Sequence, residues 1–420
     1  MRKHKLIRVF LVVVFCAASS AHASLIFVPN TYGLSAKSIG MGNAMTAVGD
    51  DYSMAYFNPG ALGNLKSSQI DLNYLYAAPD FSGGPKDGEE VEFQEESQLT
   101  LIGFTMDLSR MFKKRHGLGL GFDIAVDDNM QGFLAFESRR SDEGRFMRYG
   151  KSSVTMVTSL GIEIFPKLFI GGGGFVLVKG ENTLVTQSDM AGNSREEEIQ
   201  VDAKPVIAPI IGIFAPLHKM ITLGAVYRGK GVAEFSSIEA SADALVSDSP
   251  LTTLNLLMAF KDTYVPQQVA LGIGLRPTCN LLFSLDGTWA NWADYEEEIK
   301  KGDVVLDESE IGTKDIIIPR LGIEFTGVKS LMVRAGYYYE DTPFEEPGVG
   351  NTVVLDNARH VGSFGLAYDF SPSFLNHPLT PGASYFYQYM QPRTVESDDG
   401  RDFESEGSLH GVIGSLTARF

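Results

Sequence analysis

Few residues in this 420-residue chain are spaced for chemistry. Of its 7 histidines, His4 and His22 fall near the N-terminus, while His116, His218, His360, His377 and His410 are scattered without metal-ligand spacing. Two Ser–His neighbourhoods could begin a hydrolytic site: Ser408 with His410 on one face of an alternating segment, and Ser363 near His360. No nucleophile elbow of the form Gly-x-Ser-x-Gly carries either serine. Chance neighbours are the better account, so lipid hydrolysis is kept only as a remote alternative and no enzyme activity is expected. Gly171–Gly174 lacks the Gly-Lys-Ser/Thr of a phosphate loop; period-two apolar flanks make it a strand where the wall thins or where something packs close. The acidic groups Glu296–Glu298 and Asp398-Asp399-Gly400-Arg401-Asp402 have oxygen donors suited to Ca²⁺ or to bridging lipopolysaccharide, but solvated loops look the same. No cofactor or metal is expected.

The remaining candidates suit binding rather than catalysis. The stretch Leu245–Phe260 is apolar for a connector, and Leu254, Leu257 and Phe260 are candidates to capture a greasy ligand. Asn58-Pro59-Gly60 combines a local hydrogen-bonder, a fixed φ and a permissive backbone, which suits either a gate or an ordinary turn. Arg228, Arg276, Arg320 and Arg334 could each meet a ligand carboxylate.

The elements that must position these residues are short. From Gln69 to Phe420, strand-length apolar runs of period two alternate with long and short connectors. This is the rhythm of an outer-membrane β-barrel, with tight periplasmic turns and long extracellular loops. About fourteen strands can be counted, among them Gly117–Asp128, Ser152–Ile164, Tyr264–Arg276 and Ser408–Phe420. In Gly117–Asp128 the residues Leu118, Leu120, Phe122, Ile124 and Val126 share the face expected toward lipid, and Gly119, Gly121 and Asp123 the face toward the lumen. Tyrosines near strand ends (Tyr74, Tyr227, Tyr337, Tyr385, Tyr387, Tyr389) read as interfacial girdles. Even strand number puts both ends in the periplasm; Phe165–Lys167, Pro277–Cys279 and Gly327–Lys329 are tight turns, with Ser371–Pro381 a longer exception.

The N-terminus reads as a cleaved export signal over residues 1–23: Arg2, Lys3, Lys5 and Arg8, the apolar run Val9–Ala18, then Ala21-His22-Ala23. Without those four cations the formal charge falls from −17 to −21, which excludes a nucleic-acid partner and suits the lipopolysaccharide surface. Only Cys279 then remains of the 2 cysteines, so stability comes from the sheet. Residues 24–68, with the run Gly40-Met41-Gly42-Asn43-Ala44, are too small and Gly-rich for their own core and are expected to plug the barrel of residues 69–420 as a hatch. Phe420 ends the last strand as barrels passed to the assembly machinery usually end.

Four stretches give the chain its resemblance. They are Ser38–Gly60 with Asn58-Pro59-Gly60, Asp286–Trp292 with Trp289 and Trp292, Arg334–Arg359 with Asp341-Thr342-Pro343 and Asp356-Asn357-Ala358, and the terminal Ser415–Phe420. In order and spacing the chain resembles the FadL/TodX family of outer-membrane transporters for hydrophobic compounds. Gly60 stands where the family has Ala, and Leu355 where Pro is common. The resemblance implies a monomeric fourteen-stranded barrel blocked by an N-terminal hatch, loop capture of long-chain fatty acid or aromatic hydrocarbon, and lateral exit through the wall. An aqueous porin is the alternative from another class.

Overall fold

The alternation becomes a closed wall. The computed structural model describes residues 28–86, 91–93, 96–111, 116–127, 130–136, 145–187, 196–202, 205–232, 238–246, 249–258, 264–295, 313–344, 348–349, 352–353, 356–370, 378–395 and 402–420. Fourteen wall strands follow in chain order. They are β1 (Gln69–Pro85), β2 (Ser97–Asp107), β3 (Leu118–Asp127), β4 (Arg145–Phe165), β5 (Leu168–Gln187), β6 (Val206–His218) and β7 (Ile221–Arg228). Then come β8 (Gln267–Thr278), β9 (Leu281–Asn291), β10 (Ile316–Val328), β11 (Leu331–Glu340), β12 (Arg359–Tyr368), β13 (Leu379–Val395) and β14 (Phe403–Arg419). Each pairs antiparallel with the next. β1 and β14 close the ring from Gln69↔Arg419 to Pro85↔Phe403, so the wall has no free edge.

Residue alternation sets the two faces. In β3, Gly119, Gly121, Asp123 and Ala125 are buried inward, while the apolar set from Leu118 to Val126 lies on the outer side. Outward apolar residues such as Ile70, Leu72, Ile211, Leu271 and Leu285 are exposed, as a lipid-facing band requires. Tyr74, Tyr337, Tyr385, Tyr387 and Tyr389 lie outward near one rim, and Phe165, Phe325, Tyr368 and Phe370 near the other.

The tight turns are where the sequence puts them: Phe165↔Leu168, Thr278↔Leu281 and Val328↔Leu331 close hairpins, with Lys167 and Ser330 in the left-handed region. Several strands are longer than the expected spans. β1, β4, β5, β13 and β14 run 17 to 21 residues, well beyond the roughly 9–11 that cross a bilayer, because their ladders continue past the membrane into the long-connector end. Tyr264–Arg276 is not one strand. Pro266 interrupts the donor row; Tyr264–Val265 pairs with Gly231–Val232, and β8 begins at Gln267. The connector Gly231–Thr263 holds a hairpin, Ile238–Val246 against Ser249–Met258, outside the wall sheet.

Inside the ring lie three short helices, α1 (Val28–Thr31), α2 (Ala36–Gly40) and α3 (Met54–Phe57), and a 3₁₀ helix, Pro59–Asn64. Elements of four to six residues are unstable alone. Here they are buried almost throughout, and the main apolar core joins their residues to inward residues of the wall.

Candidate functional site

The inner segment meets strands all round the barrel. Ala36 N–H donates to Asn73 Oδ1 of β1 (3.4 Å), Ser384 Oγ of β13 donates to Ala36 O (2.6 Å), and Gln388 Nε2 donates to Thr31 O (3.0 Å). On the other side Ser159 Oγ of β4 donates to Ala55 O (2.7 Å), and Thr46 N–H donates to Asp286 Oδ2 of β9 (2.7 Å). These side chains satisfy carbonyls and amides that such short helices leave orphaned. Approach is closest at glycines: a Cβ at Gly171 of β5 would sit 2.2 Å from the Pro59 carbonyl carbon, and one at Gly336 of β11 would sit 1.9 Å from Gly42 N. Of Gly171–Gly174, Gly171 packs against the 3₁₀ helix, while Gly173 meets Ser159 of β4 and Gly174 meets Ala208 of β6.

Asn58 joins the segment to the wall. Its Nδ2 donates to Thr46 O (2.7 Å) and to Ile213 O of β6 (2.9 Å), while Oδ1 accepts from Gly60 N–H (3.0 Å). Asn58 is therefore the N-cap of Pro59–Asn64 with Pro59 in the first turn, an arrangement that needs no N–H at Pro59. Arg228 of β7 clasps the end of α3: Nε donates to Tyr56 O (3.2 Å), Nη2 to Phe57 O (3.2 Å), and the guanidinium lies 4.4 Å over the Tyr56 ring. Lys37 of α2 pairs with Asp50 (2.6 Å) and with Glu324 of β10 (3.2 Å).

An aromatic cluster and a cavity flank this segment. At the long-connector end, Tyr264, Trp292, Tyr295 and Phe344 make a buried aromatic cluster with ring centroids 5.1–6.2 Å apart. Beside it Arg393 holds the β11–β12 connector through Thr342 Oγ1, Asp356 O and Phe344 O, and Arg359 pairs with Glu340 (2.8 Å). Burial pushes the Asp356 carboxyl up to about 6 against the pull of Arg359. At the tight-turn end a cavity of about 280 Å³ is lined by Lys37, Asp51, Asp71, Arg276 and Arg334 among others. Above it, on the inner face of β1–β4, Asp71 Oδ2, Thr105 Oγ1, Thr155 Oγ1 and both oxygens of Asp123 are buried without a hydrogen-bond partner. The segment is thus packed at backbone contact on β5 and β11 and lies against a polar wall on β1–β4.

No family model matches the chain. It is 26% identical over 422 residues to alkane uptake protein A of Marinobacter nauticus, across 93% of this chain and 90% of that protein. Among solved structures it is similar to a Pseudomonas aeruginosa FadL homologue, with TM-score 0.67 and 15% identity over 92% of this chain and 98% of that one. It is also similar to the Pseudomonas putida toluene transporter TodX, with TM-score 0.63 and 15% identity over 93% and 99%. The chain has the barrel fold of the FadL and TodX structures.

Within this FadL/TodX-type barrel the sequence-derived residues separate. Asn58, Pro59 and Gly60 are together and buried between segment and wall. Leu254 and Leu257 lie in the hairpin outside the wall sheet, paired with Ala242 and Glu239, and Phe260 lies outside the described residues. Of the four arginines, Arg228 and Arg334 are engaged, the latter with Glu324 at 2.8 Å. Arg320 bonds Thr288 Oγ1 (2.7 Å) and stacks over Tyr338. The Arg276 side chain lines the lower cavity with no partner among the described residues. Neither Ser–His pair forms. His410 faces outward onto Tyr385 OH, and Ser363 points inward while His360 points outward to Tyr337 OH. Glu296–Glu298 and Asp398–Asp399 are outside the described residues. The aromatic cluster and the roles of Arg228 and Arg393 were missed, because period-two patterning says which face a residue takes but not what meets it across the lumen.

Proposed function

We propose that the chain is an outer-membrane channel for passive uptake of uncharged hydrophobic molecules, with saturated hydrocarbon the preferred cargo and residues 28–64 acting as its gate. The observation that carries this is the segment itself, buried inside a closed ring and bonded to strands on opposite sides of it. An aqueous pore has no use for such an obstruction, whereas a hydrophobic solute needs a dry route. Each buried methylene gains about 0.8 kcal/mol, so apolar surface such as the aromatic cluster of Trp292 and Phe344 favours alkyl chains over a polar surface layer. Similarity to an alkane uptake protein over most of both chains supports the hydrocarbon. Export by the N-terminal signal, insertion through the strand ending in Phe420, a monomeric state and ligand capture by Leu254, Leu257 and Phe260 belong to the same reading.

Long-chain fatty acid is the second reading, favoured by the unengaged Arg276 at the lower cavity, which could receive a carboxylate. Purified mature protein should bind radiolabelled hexadecane saturably, with palmitate and toluene as competitors, and show little bilayer conductance. Competition by palmitate that depends on Arg276 would choose the fatty acid. High steady conductance without binding would leave a porin and end the gated-uptake reading.

A further inference from the structure

Among the described residues, the inner wall sets an acid directly opposite an arginine of the next strand three times. The pairs are Glu324↔Arg334 on β10 and β11, Glu340↔Arg359 on β11 and β12, and Asp286↔Arg320 on β9 and β10. Two of them are closed: Arg334 Nε meets Glu324 Oε2 at 2.8 Å, and Arg359 Nη2 meets Glu340 Oε1 at 2.8 Å. The third is open. Arg320 gives Nη1 to Thr288 Oγ1 (2.7 Å) and its Nε has no partner; Asp286 accepts Thr46 N–H on Oδ2 (2.7 Å) and its Oδ1 has none. Residues directly opposite on one face have Cβ atoms about 4.5–5.5 Å apart, so side-chain length does not keep this pair apart.

The segment keeps it open. Thr46 holds the carboxylate toward β8, where a Cβ at Gly272 would lie 2.5 Å from Asp286 Oδ1 and 2.8 Å from Thr46 Cβ. Gly272 is the residue paired with Asp286 on the side away from β10, so the carboxylate leans off Arg320 into room that the missing Cβ leaves. The cations whose charge reaches Asp286 are Arg320 and Arg228, and Arg228 is already engaged by Tyr56 O and Phe57 O of the segment. Asp286 is 7% exposed. Were Thr46 to depart, its charge would stay buried with no partner, which is a costly state. Arg320, directly opposite with Nε unused, is placed to end that state.

Resting on the gated reading above, we propose that Asp286 is a two-position catch, holding Thr46 while the segment is seated and closing onto Arg320 when the segment leaves. The exchange trades one charged hydrogen bond for an ion pair like the two already closed on the neighbouring strands. The released segment then belongs to a second defined state of the wall, as a gate that opens and reseats requires. Asp286 and Arg320 touch no cargo in this role. They are positioning residues that set how often the gate stands open.

The test reads release of the segment from a buried thiol. In the mature protein with Cys279→Ser, which removes the exposed native thiol, Ala47→Cys is introduced beside Thr46 at a position 4% exposed. A maleimide reaches it only when the segment leaves, so the labelling rate follows the released fraction. Arg320→Gln spares the Thr46–Asp286 bond and removes the alternative partner; it should slow labelling about tenfold, as loss of a buried charge-assisted bond predicts. In an Asp286→Asn chain, which keeps an oxygen for Thr46 N–H but carries no charge, the same Arg320→Gln change should have no effect, because the interaction is already gone. Labelling of the Arg320→Gln chain at the parent rate or faster overturns the catch, and so does equal slowing in both backgrounds or a parent that never labels. Heat-modifiable migration on gels reports that each barrel is folded. Should the Ala47→Cys chain fail to fold, tryptic cleavage after Lys37, read by mass spectrometry, gives the same comparison without it. Hexadecane binding by the parent is measured alongside; its absence would bring down the uptake reading while the labelling rates still judge the catch.

Discussion

Asn58 is buried with every side-chain polar atom engaged, and its partners lie on both the segment and the wall. Net hydrogen bonds of about 0.5–1.5 kcal/mol each make Asn58→Ala a loss of roughly 2–4 kcal/mol in seating the segment. Single-channel recordings should then show frequent openings that the parent lacks; unchanged conductance would relieve Asn58 of a gating role. Asp123 is the opposite case, 2% exposed with neither oxygen bonded to protein. Removing a buried group that has no partner forfeits no interaction and lowers its desolvation cost. Asp123→Asn should therefore keep or raise the thermal midpoint followed by the heat-modifiable shift, whereas a large drop would show that the carboxylate holds something. Asn58 could be singled out in the sequence because an Asn-Pro-Gly step has few conformations. Asp123 could be placed on the lumen face but not known to be unpaired, since its neighbours come from strands and a segment distant in the chain.

At the scale of elements, helices of four or five residues are held by the wall rather than by their own bonds. Gly336 of β11 lets the backbone at Gly42, itself at φ 58°, come into contact. Gly336→Val must push backbone aside, and neither strand nor turn has a flexible end to yield. It should expel the segment locally and raise conductance while the barrel still forms; a quiet channel would mean the segment can repack. The β11–β12 connector carries a pH response. Asp356 has its carboxyl raised from 3.8 to about 6 by burial, so the folded form binds its proton more tightly than the unfolded form. Its contribution is full below about 4 and is lost as pH rises through about 6, at most about 3 kcal/mol for a two-unit shift. Proteolysis within the Asp341–Arg359 connector should accordingly be slower at pH 5 than at pH 7.5, and Asp356→Asn should flatten that difference.

For the whole molecule, deletion of residues 28–64 should leave a folded, strongly conducting ring, because the closure of β1 on β14 does not involve the segment; failure of the ring to form would make the segment part of the fold rather than its gate. The fourteen strands, their tight turns and the inward Gly and Asp of β3 were legible in the sequence because a lipid-facing wall forces period two and a side-chain face on every strand. What period two cannot carry is height and partnership. It could not show that Pro266 sets Tyr264–Val265 apart in a separate short strand pair, that Arg228 grips α3, or that Tyr264, Trp292 and Phe344 converge from separate connectors. Those outcomes depend on register between segments far apart in the chain and on which surface fills the lumen. The local pattern set which way each side chain points; only closure of the ring around its own N-terminal segment set what each one touches.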